Sequence, residues 1–456
     1  MTRSAATLVQ LRAYESRNVT FLDPDGSWPV VWERARGVHV WDAEGRKYLD
    51  LTAAFGVAAA GHANPRVVAA GQRQMGRLLH AMGDVHPHAL KAELAQTLSR
   101  ITFERWARGQ SEARSPKSEV AVTGSATAKT IFCNSGFEAV EAALKTALLA
   151  TGKRGIIAFA GAYHGLGYGA LNATHREHFR GPFRSQLGEF GFFAEFPSAA
   201  ADIARLESSL RKLLRRQSIG AILVEPVQAR GGINIPPPEF LPLLRRLGDE
   251  SGALLLLDEI YTGFGRTGKW FACEHSGVTP DVLCLGKALT GGFPLSACVG
   301  RAELMDAAWP ASQGEAIHTS TFLGHPVGCA MALAQIAEIE RLRLPERSAK
   351  LGGALLAQMA GVQRLQPGLV CTARGLGLMA GLELRRADGS PATAVALRAI
   401  KTLLANGFIL LPEGEHANVI SFTPPLTITA RQLTEAVRSL AAALDCGNTA
   451  FSKHDT

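Results

Sequence analysis

No run of apolar residues in this chain approaches the roughly 18 to 20 needed to span a bilayer, and residues 1–17 lack the apolar core of a secretory signal. No membrane partner is therefore expected, and the location expected is cytoplasmic. The seven cysteines, at positions 133, 273, 284, 298, 329, 371 and 446, form no CxxC pair, so neither a disulfide framework nor a metal knuckle is expected. Several lie in apolar runs, where a free thiol packs as a small hydrophobe and where a reducing compartment suits it. Blocks of like charge are absent too. The net charge of +8 is spread over scattered Lys and Arg, which reads as a solvated basic surface and not as a nucleic-acid site. Internal repeats and low-complexity tracts are also missing.

What is present is a globular composition, 47% hydrophobic and 19% charged, over 456 residues. That length predicts a large domain with a smaller one appended. Residues 29–51 read as short antiparallel strands separated by turns near Gly37 and at Asp42 to Gly45. Helices are predicted at Pro65 to His80 and Ala89 to Ile101, and a polar surface loop without catalytic residues over Arg105 to Lys129. From Ile131 to Gly300 short apolar runs (GIIAFA, AILVEP, ALLLLDE, DVLCLG, LSACVG) alternate with helical stretches. This is the pattern of a mainly parallel sheet buried on both faces, hence an α/β fold. A long helix from Gly324 to Arg343 then leads into a smaller α+β unit, with helices at Ala392 to Asn406 and Ala430 to Leu444. Its strands are expected at Leu376 to Leu384, Phe408 to Leu411 and Val419 to Ser421. The divisions expected are 1–85, joining the small domain, 86–329, the large domain, and 330–456, the small one.

The sharpest local feature is ALLLLDEIYTGFGRTG followed by PDVLCLGKALTGG. Asp258 ends one buried strand and Lys287 follows a second, 29 positions later, among glycines that permit close approach of a ligand. Open α/β sheets bind ligands at such strand ends, although an ordinary ion pair would look the same. Upstream, Asn134, Ser135 and Gly136 precede an amphipathic helix whose free N–H groups suit an anion. Ser135 and Glu138 also have the spacing of a capping box, and both readings are compatible. AYHG at 162–165 places Tyr163 where it could stack on a flat heterocycle, and HTSTFLGHP at 318–326 offers hydroxyls before a turn.

In order and spacing these segments resemble the class III aminotransferases, the group that includes the ornithine and 4-aminobutyrate enzymes. The resemblance runs from GVHVWDAEGRKYLDL to FTPPLT at 422–427, and its most specific parts are NSG-x-E, AYHG, VEPVQ, DEIYTGFGRTG, LGKALTGG and TF-x-G-x-P. It implies a fold-type-I enzyme with a seven-stranded-type sheet, pyridoxal 5'-phosphate (PLP) as cofactor, and a homodimer with shared sites. Lys287 matches the lysine that carries the cofactor, Asp258 the partner of its ring nitrogen and Tyr163 the stacking aromatic. Ser135, Gly136 and the N–H of Phe137 match the phosphate cradle, completed by Thr321 of the second subunit. His164, Glu225, Gln228 and Tyr261 fall in the cofactor-binding segments. The activity implied moves an amino group between an amino acid or amine and an oxo acid or aldehyde.

Four positions depart from the family pattern. Phe137 replaces a small residue and is expected to narrow the pocket, and His325 replaces an asparagine. Arg230 stands where many relatives carry an acid, and Ser421 where ornithine-type relatives carry a carboxylate-binding arginine. This pair suggests that a substrate carboxylate is held by Arg230; the alternative is that Arg230 points to solvent or pairs with a nearby acid such as Glu274 or Glu315. Racemases and epimerases of the same family are the nearest rival reading, but their second acid is expected where Arg230 stands, and an arginine cannot serve as an acid near neutral pH. An aminomutase is a more distant rival. A non-catalytic scaffold would have no need of Lys287, Asp258 and Tyr163 together.

Overall fold

A computed structural model of the chain describes residues 1–20, 28–108, 127–362 and 368–448, with side chains to 445. The predicted polar loop falls largely on residues 109–126, outside the described residues. Its two ends are regular: residues 105–108 are helical and a strand begins at Ala128.

The opening strands β1 (Trp32–Arg36), β2 (His39–Asp42) and β3 (Lys47–Asp50) form the expected meander. Gly37 and Gly45 take φ values of +62° and +84° at the turns, which a side chain would oppose.

The large sheet contains β4 (Ala128–Cys133), β5 (Gly155–Phe159), β6 (Gly191–Ala194), β7 (Ile219–Val224), β8 (Leu254–Asp258), β9 (Val282–Leu285) and β10 (Ser296–Arg301). Its spatial order is β4-β10-β9-β8-β7-β5-β6, and only β10 runs antiparallel to its neighbours. Every residue of β5, β7 and β9 is buried, which explains why these strands read as unbroken apolar runs and not as alternating ones.

Strands β11 (Leu369–Leu376), β12 (Met379–Arg386), β14 (Leu411–Glu413) and β15 (Val419–Phe422) make the small sheet, in the order β11-β12-β15-β14. The strand expected over Leu376 to Leu384 is thus β12 with the turn before it, and β11, its hairpin partner, was not expected. Gly377 turns the chain at φ +58°, packed against the backbone of Thr267 and Gly268 with no room for a Cβ. The two-residue strand β13 (Phe408–Ile409) leaves this unit to pair in parallel with β3.

The predicted helix from Pro65 ends early, at Met75; Asn64 Oδ1 caps its start by accepting from Arg66 N at 3.0 Å. The helix Pro326–Arg341 is capped by His325, whose Nδ1 accepts from Val327 N at 3.2 Å. The histidine that replaces asparagine here therefore still caps the helix. A second helix, Leu344–Val362, follows a break at Arg343, where φ is +51°, and was not evident in the sequence.

Candidate active site

Strands β4, β5, β7, β8 and β9 point the same way, and their carboxyl ends gather the residues of interest at one edge of the sheet. Asp258 is the last residue of β8 and pairs in register with Cys284 of β9, so Lys287 stands one turn beyond its neighbour strand. Lys287 itself adopts φ +44°, a strained conformation for a residue with a side chain and one concentrated at functional sites.

Asp258 is 5% exposed. Its Oδ2 accepts from Nδ1 of the buried His164 at 2.8 Å, and its Oδ1 from Ile260 N at 3.1 Å. The carboxylate can only accept, so the imidazole proton sits on Nδ1 and His164 Nε2 is left buried with no partner among the described residues. His164 is in turn fixed by its N–H, donated to Thr174 Oγ1 at 2.9 Å.

Lys287 Nζ lies 4.0 Å from the centroid of the Tyr261 ring, with no acid at ion-pair distance among the described residues. Burial lowers its pKa to about 8, against the opposing pull of Asp258, Glu225 and Glu413. Tyr261 donates its O–H to Thr423 Oγ1 at 3.1 Å, and Thr423 donates to Thr52 O at 3.3 Å. Just after Thr52, Ala53, Ala54 and Phe55 all take left-handed φ values of +47°, +49° and +60°, and Gly56 leaves room for the Tyr261 ring. Nothing in the sequence signalled this strained segment.

At the end of β4 the helix Gly136–Thr151 opens beneath the site. Glu138 accepts from the N–H groups of Asn134 at 2.6 Å and Ser135 at 3.1 Å, which is one half of the predicted capping box. Ser135 Oγ is buried without a partner among the described residues, so it remains available beside the free N–H groups of the first turn. Phe137 packs beside the AYHG segment. Its ring lies against Gly165 and Gly167, neither of which has room for a Cβ, and its N–H stays at the helix start. Thr321 is exposed, while Ser320 accepts from Asn134 Nδ2 at 3.2 Å.

Tyr163 donates its backbone N–H to Glu225 Oε1 at 3.0 Å, and its ring meets Phe179 edge-on at 5.5 Å. Glu225 also accepts from Ala229 N at 3.1 Å; burial raises its pKa to about 7. Gln228 is occupied at both ends, with Nε2 donating to Ala160 O at 2.7 Å and Oε1 accepting from Asn234 at 2.9 Å. It shapes the turn after β7.

The Arg230 guanidinium lies 5.1 Å from the Tyr163 ring, and its Nε is buried without a partner among the described residues. Neither of the acids suggested by the sequence pairs with it: Glu274 is held by Arg105 and by Trp106 Nε1, and Glu315 is exposed. The acid that feels its charge is Glu413, at the end of β14, where Gly414 N donates to Arg230 O at 3.2 Å. Arg176, which donates to that same carbonyl at 2.8 Å, is the second cation. Ser421 is 4% exposed, and its hydroxyl donates to Leu411 O at 3.1 Å. Arg230 and Ser421 thus meet the two ends of β14. Glu413 and Arg176 were missed because an acid after ILLP and an arginine after NATH match no motif; only the rarity of a buried acid singles out Glu413.

The group that suits this edge has an anion for the helix start, a flat body for Tyr163 and a site for the carboxylate of Asp258. The orphaned Ser135 Oγ and the unpaired Lys287 fit PLP at its phosphate and aldehyde ends. Among the described residues no cluster of His, Cys, Asp or Glu suits a metal ion, and no helix is long and apolar enough to cross a membrane.

Comparison with known proteins agrees. The chain is 36% identical over 428 residues to a 5-aminovalerate aminotransferase of Pseudomonas aeruginosa, covering 91% of this chain and 94% of the relative. It is 36% identical to a putrescine aminotransferase of Pectobacterium atrosepticum, with 91% and 82% covered. An amine transaminase from an uncultivated Pseudomonas species, solved in its PLP-bound form, superposes with a TM-score of 0.82 at 28% identity, covering 95% of this chain and 98% of that one. The family model for class-III aminotransferases matches residues 22–444, so the chain belongs to that family and is a PLP-dependent aminotransferase of fold type I.

Proposed function

We propose that Lys287 carries the cofactor and moves the substrate proton, with Asp258 holding the ring nitrogen protonated and Tyr163 covering the ring. One observation carries this reading: Asp258 ends β8 and Lys287 follows the end of the adjacent β9, the first braced by His164 and the second without an acid at ion-pair distance among the described residues. Bound PLP supplies the electron sink for the pair left when the C–H bond at the substrate's amine-bearing carbon breaks. Lys287 acts as the base, since a pKa near 8 leaves much of it neutral at mildly alkaline pH. The first turn of the helix from Gly136, with Ser135 Oγ, holds the phosphate. His164 is a positioning residue that keeps Asp258 oriented. Mixing single amines and amino acids with the holoenzyme, and following its absorbance alongside oxo product, tests the activity. Stoichiometric half-reactions are expected; racemised substrate without oxo product would contradict them.

The donor proposed carries a carboxylate remote from the amine, as 5-aminovalerate does, and Arg230 holds it through its planar fork. The unpartnered Nε and the contact with Tyr163 support this role. Arg230→Ala is expected to raise the KM for 5-aminovalerate by roughly 30-fold, about 2 kcal/mol, and to spare putrescine. Equal effects on the two donors would remove the assignment.

The proposed assembly is a homodimer in the cytoplasm. Leu78, Leu79, Met82, Val85 and Phe322 are exposed apolar residues, and Asp84 accepts from Thr319 while His80 meets the Phe322 ring at 5.3 Å. An apolar surface of this kind beside the exposed Thr321 suits a second copy that shares the phosphate site. Among the described residues the cysteines are buried and not joined in disulfides, which suits a reducing compartment. Dilution should release cofactor and activity together, and a fully active monomer in sedimentation would contradict the shared site.

A further inference from the structure

We propose that Glu413 sets the net charge of the substrate's carboxylate subsite, holding it at about one positive charge so that it takes a monocarboxylate in preference to a dicarboxylate. The proposal rests on the reading of Arg230 as the carboxylate anchor. Glu413 is 6% exposed and ends β14, beside the turn that carries Arg230. Gly414 N is bonded to Arg230 O, and the Arg176 guanidinium donates to that same oxygen, so the residue after Glu413, the main chain of Arg230 and the Arg176 side chain are joined at one carbonyl.

The charge of Glu413 is felt by Arg176, Lys287, Tyr163 and Tyr261, and that of Arg230 is felt by Glu413 in return. These groups come from the loop after β5, the ends of β7, β8 and β9, and β14 itself; Glu415, in the loop after β14, adds its own charge at Arg176. The acid therefore shares its electrostatic surroundings with Lys287 and Tyr163, residues of the site. Yet its carboxylate makes no hydrogen bond and no ion pair at 4 Å or less among the described residues. A buried carboxylate without a partner is costly, and two unneutralised arginines near Lys287 would be costly as well.

Counting charge gives the consequence. Two guanidinium groups and one carboxylate leave one unit of positive charge, which a single substrate carboxylate neutralises. With Glu413 neutral the same subsite carries two units, and a dicarboxylate matches it better. Burial raises the Glu413 pKa to about 7, so the wild-type subsite should gain positive charge as pH falls through neutrality.

The test uses unreactive anions on the holoenzyme, propionate as the monocarboxylate and glutarate as the dicarboxylate, titrated calorimetrically at pH 6 and pH 8.5. In the wild type, glutarate should bind about tenfold more tightly at the lower pH, with a smaller gain for propionate. Glu413→Gln should bind glutarate tightly at both values, with the pH dependence gone. A pH dependence that survives Glu413→Gln, or weaker glutarate binding in that variant at pH 8.5, overturns the proposal. Arg230→Ala in the same titrations separates the two readings, because unaltered propionate binding there removes the anchor assignment by itself. Glu413→Asp reports on folding: it keeps the charge and should keep the wild-type pH profile.

Discussion

Lys287→Ala is expected to fold and to bind the cofactor without a covalent bond, and to lose turnover by at least 10⁴-fold, about 5.5 kcal/mol of transition-state free energy. Two functions vanish with one amine: the covalent link and the base. Lys287 suits the second because burial lowers its pKa to about 8, and because no carboxylate sits close enough to hold it as an ammonium. Small amines such as methylamine should enter the space left by the truncated side chain and restore part of the rate, in proportion to their neutral fraction. A variant with turnover near that of the wild type, or one that amines do not rescue while its cofactor remains bound, would contradict the role.

Asp258→Asn should cost about 10³-fold in the proton-transfer step, roughly 4 kcal/mol, while the fold stays intact. The amide is nearly the same size and still offers an oxygen to His164 Nδ1 or to Ile260 N, so the loss is electrostatic and not structural. What disappears is the negative charge that would keep the ring nitrogen protonated, at a site only 5% exposed where water cannot replace it. Single-turnover absorbance with donor deuterated at the amine-bearing carbon should show a slower step with a large isotope effect. A wild-type rate would remove the charge argument, and a lowered melting temperature would show the loss to be structural.

The features most legible in the sequence were those governed by local chemistry. The parallel strands announced themselves because both faces are buried and the runs are apolar throughout. Asp258, Lys287 and Ser135 were visible because strand ends and helix starts position charge and glycine in short, ordered motifs. The features least legible depend on distant partners. Strand β13 is two residues long and finds β3 more than 350 positions away, so no periodicity could reveal it. The expected strand over Leu376 to Leu384 is the second arm of the hairpin at Gly377, and its first arm, Leu369–Leu376, escaped notice because Thr372 and Arg374 interrupt its apolar residues. The neighbours of the Phe137 ring, Gly165 and Gly167, lie nearly thirty residues on, so no local pattern shows where that ring packs. Arg230 was recognised as a departure, yet its acid, Glu413, comes from a different domain segment and no spacing rule connects the two.

Borohydride reduction of the holoenzyme followed by peptide mapping tests the central claim most directly, since it fixes the lysine–cofactor bond irreversibly wherever that bond is. The account predicts a single pyridoxyl adduct on the peptide carrying LGKALTGG, at Lys287, and none after Lys287→Ala. An adduct on any other lysine, or equal labelling of the wild type and the alanine variant, would contradict it.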